Sequence, residues 1–68
     1  MNRDQFLRAL KAYCRKTGLA YRQDLKRGKG GHGTVWVGKR FTVIPSGELK
    51  KGLQEGVLKA LGLPKDAV

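Results

Sequence analysis

The segment TVWVGKRFTVI, residues 34–44, predicts a β-hairpin. β-Branched and aromatic side chains, which favour strands, fill residues 34–37 and 40–44, and Gly38 and Lys39 between them are typical of a tight turn. A two-residue turn would pair Trp36 with Phe41 across the strands. This pair forms either a core contact on the helix side of the sheet or an exposed stacking platform. In a chain of 68 residues we favour the core.

A helix is predicted before the hairpin. Asn2 and Gln5 form a capping-box pattern, and Gly18 marks the end of the helix. Its apolar face comprises Phe6, Leu10, Tyr13, Cys14 and Thr17. We expect Cys14 to be a core residue, because its neighbours on this face are apolar.

A second helix is predicted after the hairpin, with Ser46 as its cap, Glu48 in its first turn and Gly62 near its end. Its apolar face comprises Leu49, Leu53, Val57, Leu58 and Leu61. Gly52 and Gly56 inside this helix each cost about 1 kcal/mol relative to alanine. They either permit close approach of another backbone or are simply tolerated.

The order of elements predicts an α+β fold. Residues 19–25 are compatible with a short strand, which gives helix, three strands and helix within one domain spanning residues 1–68. Both helices must bury an apolar face. The sequence therefore predicts an α-β-β-β-α two-layer sandwich, with a three-stranded antiparallel sheet and both helices on one face. This is also the plan of the double-stranded RNA-binding domain. We expect residues 65–68 to fray.

The charge of the chain indicates an anionic partner. Fifteen Lys and Arg against five Asp and Glu give a net charge of +10, for which nucleic acid is the default partner and an acidic protein or an anionic membrane surface an alternative. No stretch approaches the ~18 apolar residues of a membrane span, so we expect no segment to cross a bilayer. Of the possible anionic partners we expect RNA and no membrane. The first residues lack the pattern of a secretory signal. One cysteine and one histidine exclude an internal disulfide and leave too few ligands for zinc. We therefore expect no metal, no small-molecule cofactor and a cytoplasmic location.

The sole histidine, His32, lies in KRGKGGHG, residues 26–33. Glycine lets a backbone approach a ligand closely, and Lys26, Arg27 and Lys29 attract a polyanion. This composition would bring a phosphodiester against an imidazole. The alternative is a flexible loop whose histidine has no function.

Several motifs together resemble the HicA toxin family across nearly the whole chain. They are GLAYRQ (18–23), the glycine-rich turn into His32, FTVIP (41–45), ELKKGL (48–53) and VLKALGL (57–63). The resemblance implies a small basic ribonuclease of a toxin–antitoxin pair, with a fold like the double-stranded RNA-binding domain. It implies cleavage of messenger RNA by one histidine at the start of the second strand, a position that His32 occupies. It also implies a HicB-like antitoxin partner that covers this histidine.

The residues alone are compatible with this chemistry. RNA carries its own nucleophile, the 2′-hydroxyl, so His32 as general base and a cation for the charged phosphorane suffice, without a metal. Lys29, Lys39 or Arg40 are the candidates for that cation, and no acid occurs between Leu25 and Gly47. The candidate RNA-binding residues are Arg22, Lys26, Arg27, Lys29, Lys39, Arg40, Lys50 and Lys51. The alternative is a non-catalytic module that binds double-stranded RNA or another nucleic acid.

Overall fold

A computed structural model describes residues 1–26 and 32–68 and has the predicted order of elements. The elements are helix α1 (Arg3–Thr17), strands β1 (Tyr21–Asp24), β2 (Gly33–Val37) and β3 (Arg40–Ile44), helix α2 (Lys51–Ala60) and a final 3-10 turn (Lys65–Ala67). The three strands form one antiparallel sheet in the order β1-β2-β3. The predicted α-β-β-β-α sandwich is confirmed.

The hairpin register is confirmed, but the preferred face of the aromatic pair was wrong. Trp36 lies opposite Phe41, and Gly38 opens the turn with a φ of 60°. Side chains alternate along a strand, and Val35, Val37 and Ile44 face the helices and are buried. Trp36 and Phe41 consequently lie on the other face, where the side chain of Phe41 is 63% exposed. The small β-branched side chains, rather than the aromatic ones, fill the layer beneath the helices.

Helix α1 begins and ends as predicted. Asn2 Oδ1 accepts the backbone N–H of Gln5 at 2.8 Å, while Gln5 Oε1 accepts that of Asn2 at 2.9 Å. Gly18 ends the helix in the left-handed region, with a φ of 77°. The buried face of α1 differs from the predicted apolar face at two residues. Leu7 is buried, whereas Thr17 is exposed and donates its hydroxyl to the carbonyl of Tyr13 at 2.8 Å.

Helix α2 begins later than predicted, with Lys50 as its N-cap, so Ser46 does not cap it and Glu48 is not in its first turn. The reason is tertiary. The N–H of Arg3 donates to the carbonyl of Gly47 at 2.9 Å, and the N–H of Leu49 donates to that of Met1 at 2.8 Å. These bonds hold the chain extended up to the helix.

The apolar face of α2 is confirmed at Val57, Leu58 and Leu61, which are buried, as is Leu49 just before the helix. Leu53 was predicted to join them and is instead 41% exposed. A single core contains residues of both helices and of one sheet face, so both helices cover the same side.

Residues 65–68 pack against the core, so the predicted fraying is wrong. The N–H of Leu63 donates to the carbonyl of Leu58 at 2.8 Å across Gly62, whose φ is 73°. The chain then forms the 3-10 turn and buries Ala67 against the core.

Candidate functional site

His32 is exposed and directly precedes β2, at the sheet end where β1 and β3 finish. The neighbouring pairs are Asp24 with Thr34 and Gly33 with Ile44. We call this the loop end of the sheet, and the opposite end, at Gly38 and Lys39, the turn end. The structure thus has the histidine at the start of the second strand, as predicted.

Gly33 opens β2 directly after His32 and lies close to the end of β1. A Cβ added to Gly33 would lie 2.6 Å from Leu25 Cδ2, 3.2 Å from Leu25 Cα and 3.3 Å from the carbonyl oxygen of Asp24. A side chain at this position would therefore force the Leu25 side chain to rotate and the end of β1 to shift slightly. Sequence analysis treated this glycine as part of a permissive loop. A glycine that opens a strand pattern is itself a signal of close backbone approach.

Asp24 is a further polar residue at the loop end, one that the sequence analysis did not single out. Its Oδ1 accepts the N–H of Lys26 at 3.1 Å, which turns the chain at the end of β1. Asp24 lies opposite Thr34, the second residue after His32, so both Asp24 and His32 belong to the loop end of the sheet. The loop end therefore includes a carboxylate as well as the imidazole. Pairing the predicted first strand with the hairpin in the same antiparallel pattern would have placed Asp24 at this end of the sheet.

Exposed cations follow two of the strands along the chain, β1 and β3, that finish at the loop end. Lys26 follows β1 and is exposed. Lys50 and Lys51, also exposed, stand at the start of α2, which follows the end of β3 after a short connection. The free N–H groups in the first turn of a helix add to the attraction for a phosphate. Arg27 and Lys29 lie outside the described residues.

The structure does not bring Lys39 or Arg40 to His32. Both lie at the turn end, and the four-residue step from Gly33 to Val37 separates the two ends by about 13 Å. Arg40 instead packs on the end of α2, where its Nε lies 3.1 Å from the position of a Cβ added to Gly62. Arg22 lies on the sheet face away from the helices, with its guanidinium 4.2 Å from the centroid of the Trp36 ring.

Two titratable groups, the buried Cys14 and the half-buried Tyr21, lie in or against the core. Cys14 is fully buried, as predicted, and this burial raises the pKa of its thiol. Burial, and secondarily the charge of Cys14, raise the pKa of Tyr21 to about 12. The Tyr21 hydroxyl donates to Gln23 Oε1 at 2.6 Å. Near neutral pH both groups keep their protons.

The sequence matches no family model, and no curated protein or solved structure is significantly similar to it. The resemblance to the HicA family thus stays a prediction. Within residues 1–26 and 32–68, no helix has the length and apolar character that crossing a membrane requires. In the same part of the chain, no three metal-ligating side chains come together.

Proposed function

We propose that this protein is a metal-independent endoribonuclease, the messenger-RNA-cleaving toxin of a toxin–antitoxin pair similar to HicA. The observation that carries the proposal is the placement of the sole imidazole, His32, which is exposed at the loop end of the sheet in a strongly basic domain. This geometry lets a phosphodiester approach the histidine from solvent. The enzyme would act in the cytoplasm, where messenger RNA is translated.

The reaction needs one proton acceptor and an environment that tolerates negative charge. His32 removes the proton of the RNA 2′-hydroxyl, whose oxygen attacks the adjacent phosphorus. The bond from phosphorus to the 5′-oxygen then breaks, which leaves a 2′,3′-cyclic phosphate and a 5′-hydroxyl. The leaving oxygen takes a proton from water or from the imidazolium of His32. Lys26, which follows β1, and Lys50 and Lys51, which follow β3, are exposed cations that would favour the charged phosphorane.

An enzyme that cleaves the messages of its own cell must be held inactive by a partner. A HicB-like antitoxin with an acidic surface would bind the basic loop end and exclude RNA by occupying the same site. Burial of His32 in that complex, together with loss of cleavage in proportion to antitoxin bound, is the expected behaviour.

The experiment compares wild type with His32→Ala on a labelled RNA, with and without EDTA. The alanine variant should remain folded and bind RNA, but lose cleavage, and EDTA should leave wild-type cleavage intact. Because His32 is the only histidine, acylation of imidazole by diethyl pyrocarbonate provides an independent test on the wild-type chain. The products should carry cyclic phosphate ends.

Equal cleavage by the alanine variant, or a requirement for added metal, would contradict the mechanism. RNA binding without any cleavage by the wild-type protein would favour the alternative, a non-catalytic nucleic-acid-binding module.

A further inference from the structure

The sheet face away from the helices carries an aromatic and cationic row across all three strands. Arg22, Trp36 and Phe41 are consecutive cross-strand partners in β1, β2 and β3 and therefore lie side by side. The guanidinium of Arg22 lies 4.2 Å from the Trp36 ring centroid, and Phe41 is 63% exposed. We call this the open face. In the described part of the chain, both helices lie on the other side of the sheet.

A concavity adjoins this row at the turn end of the sheet. It has a volume of about 180 Å³ and is lined by Ala20, Tyr21, Arg22, Trp36 and Gly38. A cavity of this size, lined in part by an aromatic ring, can hold a flat group of one or two fused rings. A nucleobase is such a group.

Charge complementarity identifies the occupant. The exposed Lys39 lies at the turn beside the row, and the whole chain carries a net charge of +10. The acid on this face, Asp24, is at the loop end, away from the row, and accepts the N–H of Lys26. An aromatic ring and a guanidinium plane both stack on unpaired bases, while nearby cations attract the phosphates between them. Paired bases present only their edges and cannot stack on a protein surface in this way.

We propose that the open face binds unpaired bases of single-stranded RNA, with one base on the Phe41 ring and another against the Arg22–Trp36 pair. The inference deepens the proposed function and rests on it for the cleavage step, because it assigns single-stranded RNA as the substrate class. A strand held by this row and running along β2 reaches the loop end, about 13 Å away, where His32 lies.

The test uses the full chain with His32→Ala, so that RNA stays intact, and a short single-stranded oligoadenylate as probe. Trp36 is the only tryptophan, so its fluorescence reports directly on the open face. The oligoadenylate should quench this fluorescence, whereas the same strand annealed to its complement should quench it much less. Phe41→Ala should weaken binding of the single strand by about 5- to 150-fold, the loss of one stacked base.

Matched variants separate stacking from general apolar contact. Phe41→Leu keeps an apolar side chain and should lose nearly as much affinity as Phe41→Ala, whereas Phe41→Tyr should restore it. Val43→Ala is the control, because Val43 lies on the same strand and face and is 53% exposed but has no ring. It should bind like the parent protein. These positions are exposed, so the variants should fold.

Three results would overturn the proposal. They are equal quenching by the duplex, wild-type affinity of Phe41→Leu, and an equal loss of affinity in Val43→Ala, which would indicate an apolar surface for a protein partner. The outcome is independent of cleavage. If the wild-type chain cleaves RNA while Phe41→Ala binds normally, the stacking surface is refuted and the ribonuclease stands. If the Phe41 variants weaken binding but the wild-type chain does not cleave RNA, the stacking surface stands and the ribonuclease is refuted.

Discussion

Replacing Gly33 with alanine tests whether close contact between β1 and β2 positions the candidate histidine. The added Cβ would lie 2.6 Å from Leu25 Cδ2, 3.2 Å from Leu25 Cα and 3.3 Å from the carbonyl oxygen of Asp24. Carbon atoms pack best at about 3.5–4.0 Å, so the methyl group of Leu25 is about 1 Å too close. Leu25 is half-buried, and its side chain can rotate away. The two backbone atoms can retreat only if the end of β1 moves.

The expected cost is about 1–3 kcal/mol in the free energy of unfolding, the usual range for an overpacked site. A domain of 68 residues has about 3–10 kcal/mol in total, so the loss is a large fraction of its stability. His32 is adjacent in sequence, and the shift of the strand should displace its imidazole. Cleavage by Gly33→Ala should therefore fall by more than the unfolded fraction explains.

Gly56→Ala is the matched control, because it makes the same chemical change at an open site. Gly56 lies inside α2, and nothing in the described part of the chain lies within 4 Å of a Cβ added there. Alanine should stabilise the helix by about 0.5–1 kcal/mol, so the two substitutions should have opposite signs. Leu25→Ala removes the closest contact. In that background Gly33→Ala should cost less, although the backbone contacts keep it unfavourable.

Urea unfolding measures both variants, provided that the slope with denaturant stays constant. A Gly33→Ala protein within about 0.5 kcal/mol of wild type would refute the argument that glycine is required there. So would an equal cost of Gly33→Ala with and without the Leu25 side chain, because the strain would then not arise from this contact.

Three further predictions concern charge and burial. The double variant Lys50→Gln, Lys51→Gln should lower the rate of cleavage at saturating RNA. Lys39→Gln, at the turn end, should weaken RNA binding and reduce its salt dependence but leave that rate unchanged. Single-turnover kinetics at several salt concentrations measure both effects, and equal effects on the rate would contradict the separation of the two ends. The buried Cys14 should resist thiol reagents in the native protein and react on unfolding, and rapid native labelling would place it at the surface. Burial raises the pKa of Tyr21 to about 12, so the folded chain keeps a proton that the unfolded chain releases from about pH 10 upward. The free energy of unfolding should therefore fall between about pH 10 and pH 12, and it should fall less in Tyr21→Phe. An identical alkaline loss in Tyr21→Phe would assign it to other groups.

The hairpin shows what local sequence patterns can predict and what they cannot. Turn chemistry and β-propensity determine its two strands and the pairing of Trp36 with Phe41, and both agree with the structure. They do not determine which face is buried, because both faces are apolar. One has Val35, Val37 and Ile44, and the other has Trp36, Phe41 and Val43. Alternation of apolar and polar residues is the usual signal for the buried face, and this hairpin lacks it.

The start of α2 shows a local signal overridden by tertiary pairing. Ser46 followed by Glu48 has the composition of a helix start. Residues 47–49 nevertheless pair with the beginning of the chain, through hydrogen bonds to Met1 and Arg3. These partners lie more than forty residues away in sequence, so no short window could have revealed the delayed start.

The candidate site could be predicted at His32 but not in its surroundings, because an antiparallel meander brings together residues that are far apart in sequence. Lys39 is seven residues from His32 in sequence and at the far end of the sheet, whereas Asp24 is eight residues away and at the same end as His32. At physiological salt the Debye length is about 8 Å, shorter than the roughly 13 Å between the two ends of the sheet. The cations of the turn end therefore contribute little to a phosphorane at His32. Their place beside Trp36 and Phe41 suits them to hold the neighbouring nucleotides, so binding and catalysis on this small domain should respond to different lysines.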